Sequence, residues 1–318
     1  MNKETVKIDI DAIAGERWFP KESNFEDDME LYWGEWGVCS EVDDLKSVLM
    51  YRPGKEVESF NANEVRFSDE PIDVELMRKQ HDNLAQIYKD HGVKVYYVEE
   101  QREDRPNAVF CRDLMFMTPE GAIVTRPGMS ARRGEERYIA QALAKLGVPI
   151  LRTINGDGIF EGANAMWVNR KTVVLSTSSR TNRSGYEQVK YELEKMGVEN
   201  IIPMQIPYSN IHIDGIMNMA SEEIVFIHAS QIPYDVCDAL KKCGCKILEA
   251  PSTTEVRNTF GCNFVALKPG LIVMPEGNPR CQELLENNGI KVITVDVSEI
   301  MKGKGAIHCV TAFLKRGQ

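Results

Sequence analysis

Leu146-Gly147-Val148-Pro149-Ile150-Leu151 reads as the end of a helix, a stop and the start of a strand within one short stretch. The same grammar recurs at His91-Gly92-Val93, Met196-Gly197-Val198, Cys243-Gly244-Cys245 and Asn288-Gly289-Ile290. Glycine just past a helix takes the left-handed turn that ends it. The apolar residues that follow, such as Val95-Tyr96-Tyr97-Val98, Ile201-Ile202, Ile247-Leu248 and Val292-Ile293, have strand character. The stops return about every 45 to 55 residues, the interval of a repeat architecture. Working outward from each stop, the residues before it spell short amphipathic helices over roughly 74–91, 135–146, 186–196, 234–243 and 282–287.

A second rhythm follows each strand: a polar residue in apolar surroundings, then a turn, then another apolar strand. The polar stretches are Phe110-Cys111-Arg112-Asp113, Phe160-Glu161-Gly162, His212-Ile213-Asp214-Gly215, Arg257-Asn258 leading to Asn263, and Gly305-Ala306-Ile307-His308-Cys309. The strand over residues 45–51 has no partner before it, and the final strand, over 307–314, has none after it. Pairing the two would close the five units into a ring, and in a closed ring equivalent ends meet at the axis. The sequence therefore predicts an α/β chain of five pseudo-repeats with one central site. The plainer alternative is that these polar residues open strands for solubility.

At 318 residues the chain can bury a large core, and the ring is a single domain over residues 41–318. Residues 1–40 stand apart as an N-terminal extension, acidic and without a clear period, carrying Trp18, Trp33 and Trp36. They read either as a lid over the site or as an arm packed on the outside of the ring. A formal charge of −10 argues against a nucleic-acid partner and suits a cationic substrate. The first ten residues lack the apolar core of a signal peptide, and no run reaches membrane-spanning length, so a cytoplasmic, non-membrane protein is expected. Its eight cysteines lack a paired framework and read as reduced thiols. No cofactor is called for, and a homo-oligomer is compatible with the sequence.

Chemistry enters through three groups. Cys309 follows Gly303 and Gly305, glycines that let backbone and substrate approach closely, and a thiol there is a candidate nucleophile. A nearby cation, from protein or substrate, would raise its ionised fraction. Histidine is scarce. His81 and His91 are expected on an exposed helix, His228 ends a strand, and His308 should point away from Cys309 on the same strand. That leaves His212, with Asp214 expected on the same strand face, as the proton carrier. Asp113, Glu161 and Asp214 would then place three carboxylates in one pocket, which is costly without a cation. The residues fit no compact metal motif, so no metal is expected. A planar guanidinium, whose fork of donors matches paired carboxylates, is the alternative.

On these residues the chain resembles the arginine deiminase and dimethylarginine dimethylaminohydrolase group of guanidine-modifying enzymes, over roughly residues 40 to 316. Ser40-Glu41-Val42 and Arg52-Pro53-Gly54-Lys55-Glu56 look like the group's opening. Phe110-x-Arg112-Asp113, Glu161-Gly162, Ser179-Arg180-Thr181, His212-x-Asp214 and the C-terminal Cys309 match its motifs in order. The resemblance implies a five-bladed α/β propeller. It also implies that Asp113 grips the guanidinium, Glu161 assists the catalytic His212, and Arg180 binds a substrate carboxylate. Arg132 and Arg133, in Ser130-Ala131-Arg132-Arg133, are rival carboxylate binders. Ala163-Asn164 stands where the group has Gly-Asp, so hydrogen bonding around the substrate through Asn164 would differ. The insertion of about 80 residues found in bacterial arginine deiminases is not visible, and His308 before the cysteine resembles the amidinotransferase branch as much as the hydrolases.

Three functions compete. The first is a cysteine hydrolase of arginine or a related or methylated arginine, yielding a ureido product and ammonia or an alkylamine. The second is an amidinotransferase in which an amine replaces water. The third is a non-catalytic propeller of the kind found in ribosome anti-association factors, against which the retained Cys, His and carboxylates count.

Overall fold

The computed structural model describes residues 20, 22–58, 60 and 70–317. Residues 1–19 of the expected N-terminal extension lie outside that set. Among the described residues the strands form five three-stranded sheets, and each sheet follows one plan. A central strand runs into a helix, the helix ends at one of the five glycine stops, and the next strand lies parallel to the central one. The connecting helix allows this parallel pairing, because it carries the chain back to the end where the central strand began.

In the first sheet, β1 (Leu45–Met50) is followed by α2 (Val74–Asp90) and the parallel β2 (Lys94–Tyr97); α1 (Phe25–Tyr32) precedes them. The second sheet has β3 (Met115–Thr118) and β4 (Gly121–Val124) antiparallel across a tight turn, then α3 (Glu135–Leu146) and parallel β5 (Ile150–Thr153). The third repeats this with β6 (Ala165–Asn169), β7 (Thr172–Thr177), α4 (Arg183–Lys195) and β8 (Asn200–Gln205). The fourth has β9 (Met217–Met219), β10 (Ile224–Ile227), α5 (Tyr234–Lys242) and β11 (Lys246–Glu249). After α6 (Thr253–Asn258), the fifth has β12 (Val265–Lys268), β13 (Leu271–Pro275), α7 (Pro279–Glu286) and β14 (Lys291–Val295). Then α8 (Ser298–Met301) and α9 (Ile307–Val310) lead to β15 (Ala312–Arg316). β15 returns to pair antiparallel with β1, Leu45 opposite Arg316 and Leu49 opposite Ala312. The first sheet thus takes strands from both ends of the chain.

The five stops are left-handed, with φ of +80° at Gly92 and Gly147, +77° at Gly197, +88° at Gly244 and +84° at Gly289. A side chain there would be strained, which is why this residue type marks the period so cleanly. Helix starts are set by side chains: Asp73 and Asn182 accept hydrogen bonds from the backbone N–H of Leu76 and Gly185, both at 2.9 Å. The core lies between sheets and helices. Trp167 is fully buried, stacks on Phe116 of the neighbouring sheet at 5.7 Å, and donates its indole N–H to the Met117 carbonyl at 3.0 Å.

One expectation needs correction. His81 is not on an exposed face: it lies with Met77, Leu84, Ala85 and Tyr88 on the buried side of α2, and burial pushes its pKa down to about 4. The reason is its spacing: His81 is four residues after Met77 and seven before Tyr88, so it falls on the apolar stripe. The described part of the extension runs along the sheets, with Gly37 N–H donating to the Leu314 carbonyl at 2.9 Å and Val38 N–H to that of Thr118 at 3.3 Å. No described helix is long and apolar enough to cross a membrane.

Candidate active site

The polar residues of the second rhythm occupy equivalent places. Each sits in or beside a short turn immediately ahead of the first strand of a sheet. Asp113 is in the turn Cys111–Leu114 before β3, and Glu161 precedes the turn Gly162–Asn164 before β6. His212 precedes the turn Ile213–Gly215 before β9; Asn263 stands just before β12; Cys309 is in α9 before β15. The turn at 111–114 packs against both α9 and the turn at 162–164, and the latter packs against 213–215. Gly162 permits that approach: a Cβ there would lie 2.1 Å from the Met115 carbonyl oxygen and 2.4 Å from that of Arg112.

The local conformation differs from the strands expected, and the difference decides the chemistry. Alternation along a strand would put His212 and Asp214 on one face and turn His308 away from Cys309. In a helical turn, neighbours are roughly 100° apart and residues two apart are nearly opposed. So His212 and Asp214 diverge to different partners, while His308 and Cys309 both reach Asp214.

His212 is 4% exposed. Its Nε2 lies 2.6 Å from Glu161 Oε2 and its Nδ1 3.4 Å from Asp113 Oδ1. The other Glu161 oxygen accepts from the Gly128 N–H at 2.9 Å. Burial opposes a charge on this imidazole, but Asp113, Glu161 and Asp214 outweigh it and raise its pKa above the ordinary value. Burial likewise opposes ionisation of Glu161, yet His212 and Arg132 hold its carboxyl below the usual range. The 2.6 Å contact and the opposite directions of the two shifts suit an imidazolium paired with a carboxylate.

Cys309 is 6% exposed. The Asn263 amide donates to its Sγ at 3.2 Å, and the Sγ lies 3.4 Å from Asp214 Oδ2. Burial, then Asp214 and Asp113, push the thiol well above its ordinary value. In the absence of a cation it stays protonated. Asp113 Oδ1 is buried and takes no hydrogen bond among the described residues. A buried acceptor without a donor is uncommon and calls for a reason.

The remaining sequence candidates fall into two groups. Arg180 is half-buried beside Gly128, close enough to help hold Glu161 ionised, and among the described residues no carboxylate lies within 4.0 Å of it. Arg132, expected as a rival carboxylate binder, is 4% exposed and engaged within the protein. It bonds Asp113 Oδ2 at 2.5 Å, Glu135 at 2.8 Å, and the carbonyls of Asn107 and Phe110. Its geometry fits a counter-ion for Asp113 better than a fork open to a ligand. Asn164, expected beside the substrate, directs its side chain to Ser176 at 2.7 Å and Ser178 at 3.3 Å, and so supports the turn that carries Glu161.

Sequence reasoning assigned no role to Glu41, Asn263 or His308. Asn263 was visible as the fourth unit's polar residue, and its partners were not. Its Oδ1 accepts the backbone N–H of His308 at 3.0 Å and of Cys309 at 3.4 Å, so it cradles α9 from below. Asp113, Glu161 and His212 each offer a donor atom within 4.8 Å of the others, the cluster best placed to hold a cation. The proton on His212 and Arg132 on Asp113 compete with a metal there.

The family described as N,N dimethylarginine dimethylhydrolase, eukaryotic, matches residues 55–316. The chain is 28% identical over 286 residues to the uncharacterized protein YkgA of Bacillus subtilis, covering 88% of this chain and 96% of that one. It is 25% identical over 247 residues to the N(G),N(G)-dimethylarginine dimethylaminohydrolase of Streptomyces coelicolor, covering 77% and 89%. Among solved structures it superposes on dimethylarginine dimethylaminohydrolase from Pseudomonas aeruginosa, a cysteine-to-serine mutant complexed with citrulline. The TM-score is 0.71 at 22% identity, over 85% of this chain and 99% of that one. An amidinotransferase of saxitoxin biosynthesis from Microseira wollei superposes with a TM-score of 0.72 at 16% identity, covering 88% and 97%.

Proposed function

The chain belongs to the N,N dimethylarginine dimethylhydrolase family and is a hydrolase of carbon–nitrogen bonds in linear amidines; from that premise we propose that it is a cysteine-dependent hydrolase of arginine or a related or methylated arginine. The five sheets are then the blades of a closed α/β propeller with its active site at the axis. The observation that carries this reading is the buried thiol of Cys309 set among buried carboxylates, one of which, Asp113, has a buried oxygen that takes no hydrogen bond among the described residues. A guanidinium supplies donors and charge together.

The reaction follows from the protonation states. The guanidinium settles against Asp113 and Asp214, and its positive charge offsets the two carboxylates that, after burial, keep the Cys309 thiol protonated. The thiol then ionises, its proton leaving to solvent, and Sγ bonds to the guanidinium carbon. His212, already an imidazolium, gives its proton to the departing nitrogen, and the C–N bond breaks to release ammonia or an alkylamine. The neutral His212 next takes a proton from water as the oxygen bonds to the same carbon. The C–S bond breaks with its electron pair returning to Cys309 Sγ, the hydroxyl proton passes to that sulfur and restores the thiol, the ureido product leaves, and His212 is again an imidazolium beside Glu161.

A panel of guanidino compounds assayed for ammonia or amine release tests the reading, and release from none of them would refute it. The likeness to an amidinotransferase fold favours a second reading, in which an amine takes the place of water at the second step. Supplying arginine with and without glycine or another amine acceptor separates the two, because only a transferase makes a new guanidino product.

Arg180 is read as the group that meets a substrate carboxylate, since its fork has no carboxylate partner among the described residues and it adjoins Glu161. Arg180→Ala should raise KM strongly for a free amino acid and much less for a decarboxylated analogue such as agmatine. An equal loss for both, or none for either, would remove Arg180 from that role.

A further inference from the structure

The mechanism above uses one of two imidazoles that lie between carboxylates. The other, His308, is 1% exposed. Its Nδ1 lies 2.9 Å from Asp214 Oδ2 and its Nε2 3.2 Å from Glu41 Oε2. The other Glu41 oxygen accepts from Arg112 Nη2 at 3.4 Å. The Phe313 ring stands edge-on against His308, with centroids 5.4 Å apart. A neutral imidazole has a single N–H and would turn a lone pair toward one of its two carboxylates. Only the doubly protonated ring donates to both. Asp214 Oδ2, which accepts from His308, is the same oxygen that lies 3.4 Å from the Cys309 Sγ.

We propose that Glu41 and His308 are positioning residues for the reaction: His308 is a standing imidazolium, fixed by Glu41, that keeps Asp214 a carboxylate beside Cys309, so that Asp214 serves the substrate cation and does not capture the thiol proton. This rests on the guanidino-hydrolase reading. The charged neighbours are consistent from every side. Asp214 faces His308 and Cys309 and feels His212 and Arg112. Glu41 faces His308 and Arg112 and feels Arg316. After burial, Asp214 and Glu41 are the largest influences on His308. Burial opposes charge on all three, yet the ion pairs lower Asp214 and Glu41 and raise His308. Asp214 therefore keeps its charge to lower pH and His308 keeps its proton to higher pH than either would alone. Its order is Arg112, Glu41, His308, Asp214, Cys309.

Two measurements test the relay. In the wild-type enzyme carrying nitrogen-15 histidine, both ring nitrogens of His308 should show protonated chemical shifts at pH 7.5, the signals being assigned by their loss in His308→Gln. Glu41→Gln keeps the shape and removes the charge, so His308 should release its proton at lower pH. The kcat/KM of Glu41→Gln should then fall about 30-fold or more at pH 8, as expected for a broken buried charge pair, and its ratio to wild type should climb as the pH is lowered and the imidazolium returns. A purely structural contact would give a ratio that is flat with pH. A neutral-tautomer spectrum for His308 in the wild type at pH 7.5, or a flat ratio, would overturn the proposal. If Glu41→Gln fails to fold, the wild-type spectrum decides it. If the wild type turns over no guanidino compound, the functional reading fails by itself, and the spectrum still decides whether the relay exists.

Discussion

Cys309→Ala should abolish turnover, by a factor on the order of 10⁶, the scale on which other covalent catalysts lose their nucleophile, while the fold and substrate binding survive. The fold is expected to hold because alanine keeps the Cβ, and the backbone of α9 stays tied to Asn263 through the N–H groups of His308 and residue 309. Binding is expected to hold because the carboxylates that grip the cation are untouched. In the native enzyme, iodoacetamide should alkylate Cys309 at a rate that keeps rising with pH beyond the ordinary thiol value of about 8.5, since burial and then Asp214 and Asp113 raise its pKa. A guanidino substrate should protect it. Activity retained in Cys309→Ala would end the covalent mechanism. An alkylation rate already level at pH 7 would contradict the view that the thiol waits for the substrate's charge.

Asp113→Asn should lower kcat/KM by about 30- to several-thousand-fold, the range set by about 2–5 kcal/mol for losing one partner of a buried charged pair. The variant should still fold. Arg132, the cation bonded to Asp113, keeps Glu135 and the carbonyls of Asn107 and Phe110 as partners, so no arginine is left stranded. What is lost is the buried Oδ1 that accepts nothing among the described residues and the charge 3.4 Å from His212. Calorimetry in a Cys309→Ala background isolates binding from chemistry. Equal affinity for arginine-like ligands with Asp113 or Asn at this position would show that the grip lies elsewhere.

The repeat was legible because its marker is a backbone necessity. A left-handed residue after each helix is nearly always glycine, so Gly92, Gly147, Gly197, Gly244 and Gly289 announce themselves without reference to anything distant in the chain. The pairing of the two end strands followed from counting unpartnered strands. Inside the site the sequence was less informative, for one physical reason. Apolar residues around Ile213 and Ile307 suit a strand or a helical turn equally, and the choice between them sets where the flanking side chains aim. Reading strands put His212 and Asp214 together and dismissed His308; the turns separate the first two and bring His308 onto Asp214. Glu41 is invisible in the same way. It is a charged residue ahead of a strand, and nothing local says that its partner is His308, at the other end of the chain. His81 shows the converse: a polar residue on an apolar stripe was taken at its polarity, and the stripe prevailed.

The pairing of β15 with β1 has a mechanical side. Leu45, at the N-terminal end of β1, lies opposite Arg316, at the C-terminal end of β15. Tension applied through the two ends of this domain would therefore load that ladder one hydrogen bond at a time, like a zipper, instead of shearing all its bonds at once. Unzipping needs little force, and the first residues freed beyond β15 are those of α9, with Cys309 among them. In an optical trap the enzyme should fall silent at the first, low-force opening, with the other four sheets still folded and the catalytic loss reversible on relaxation.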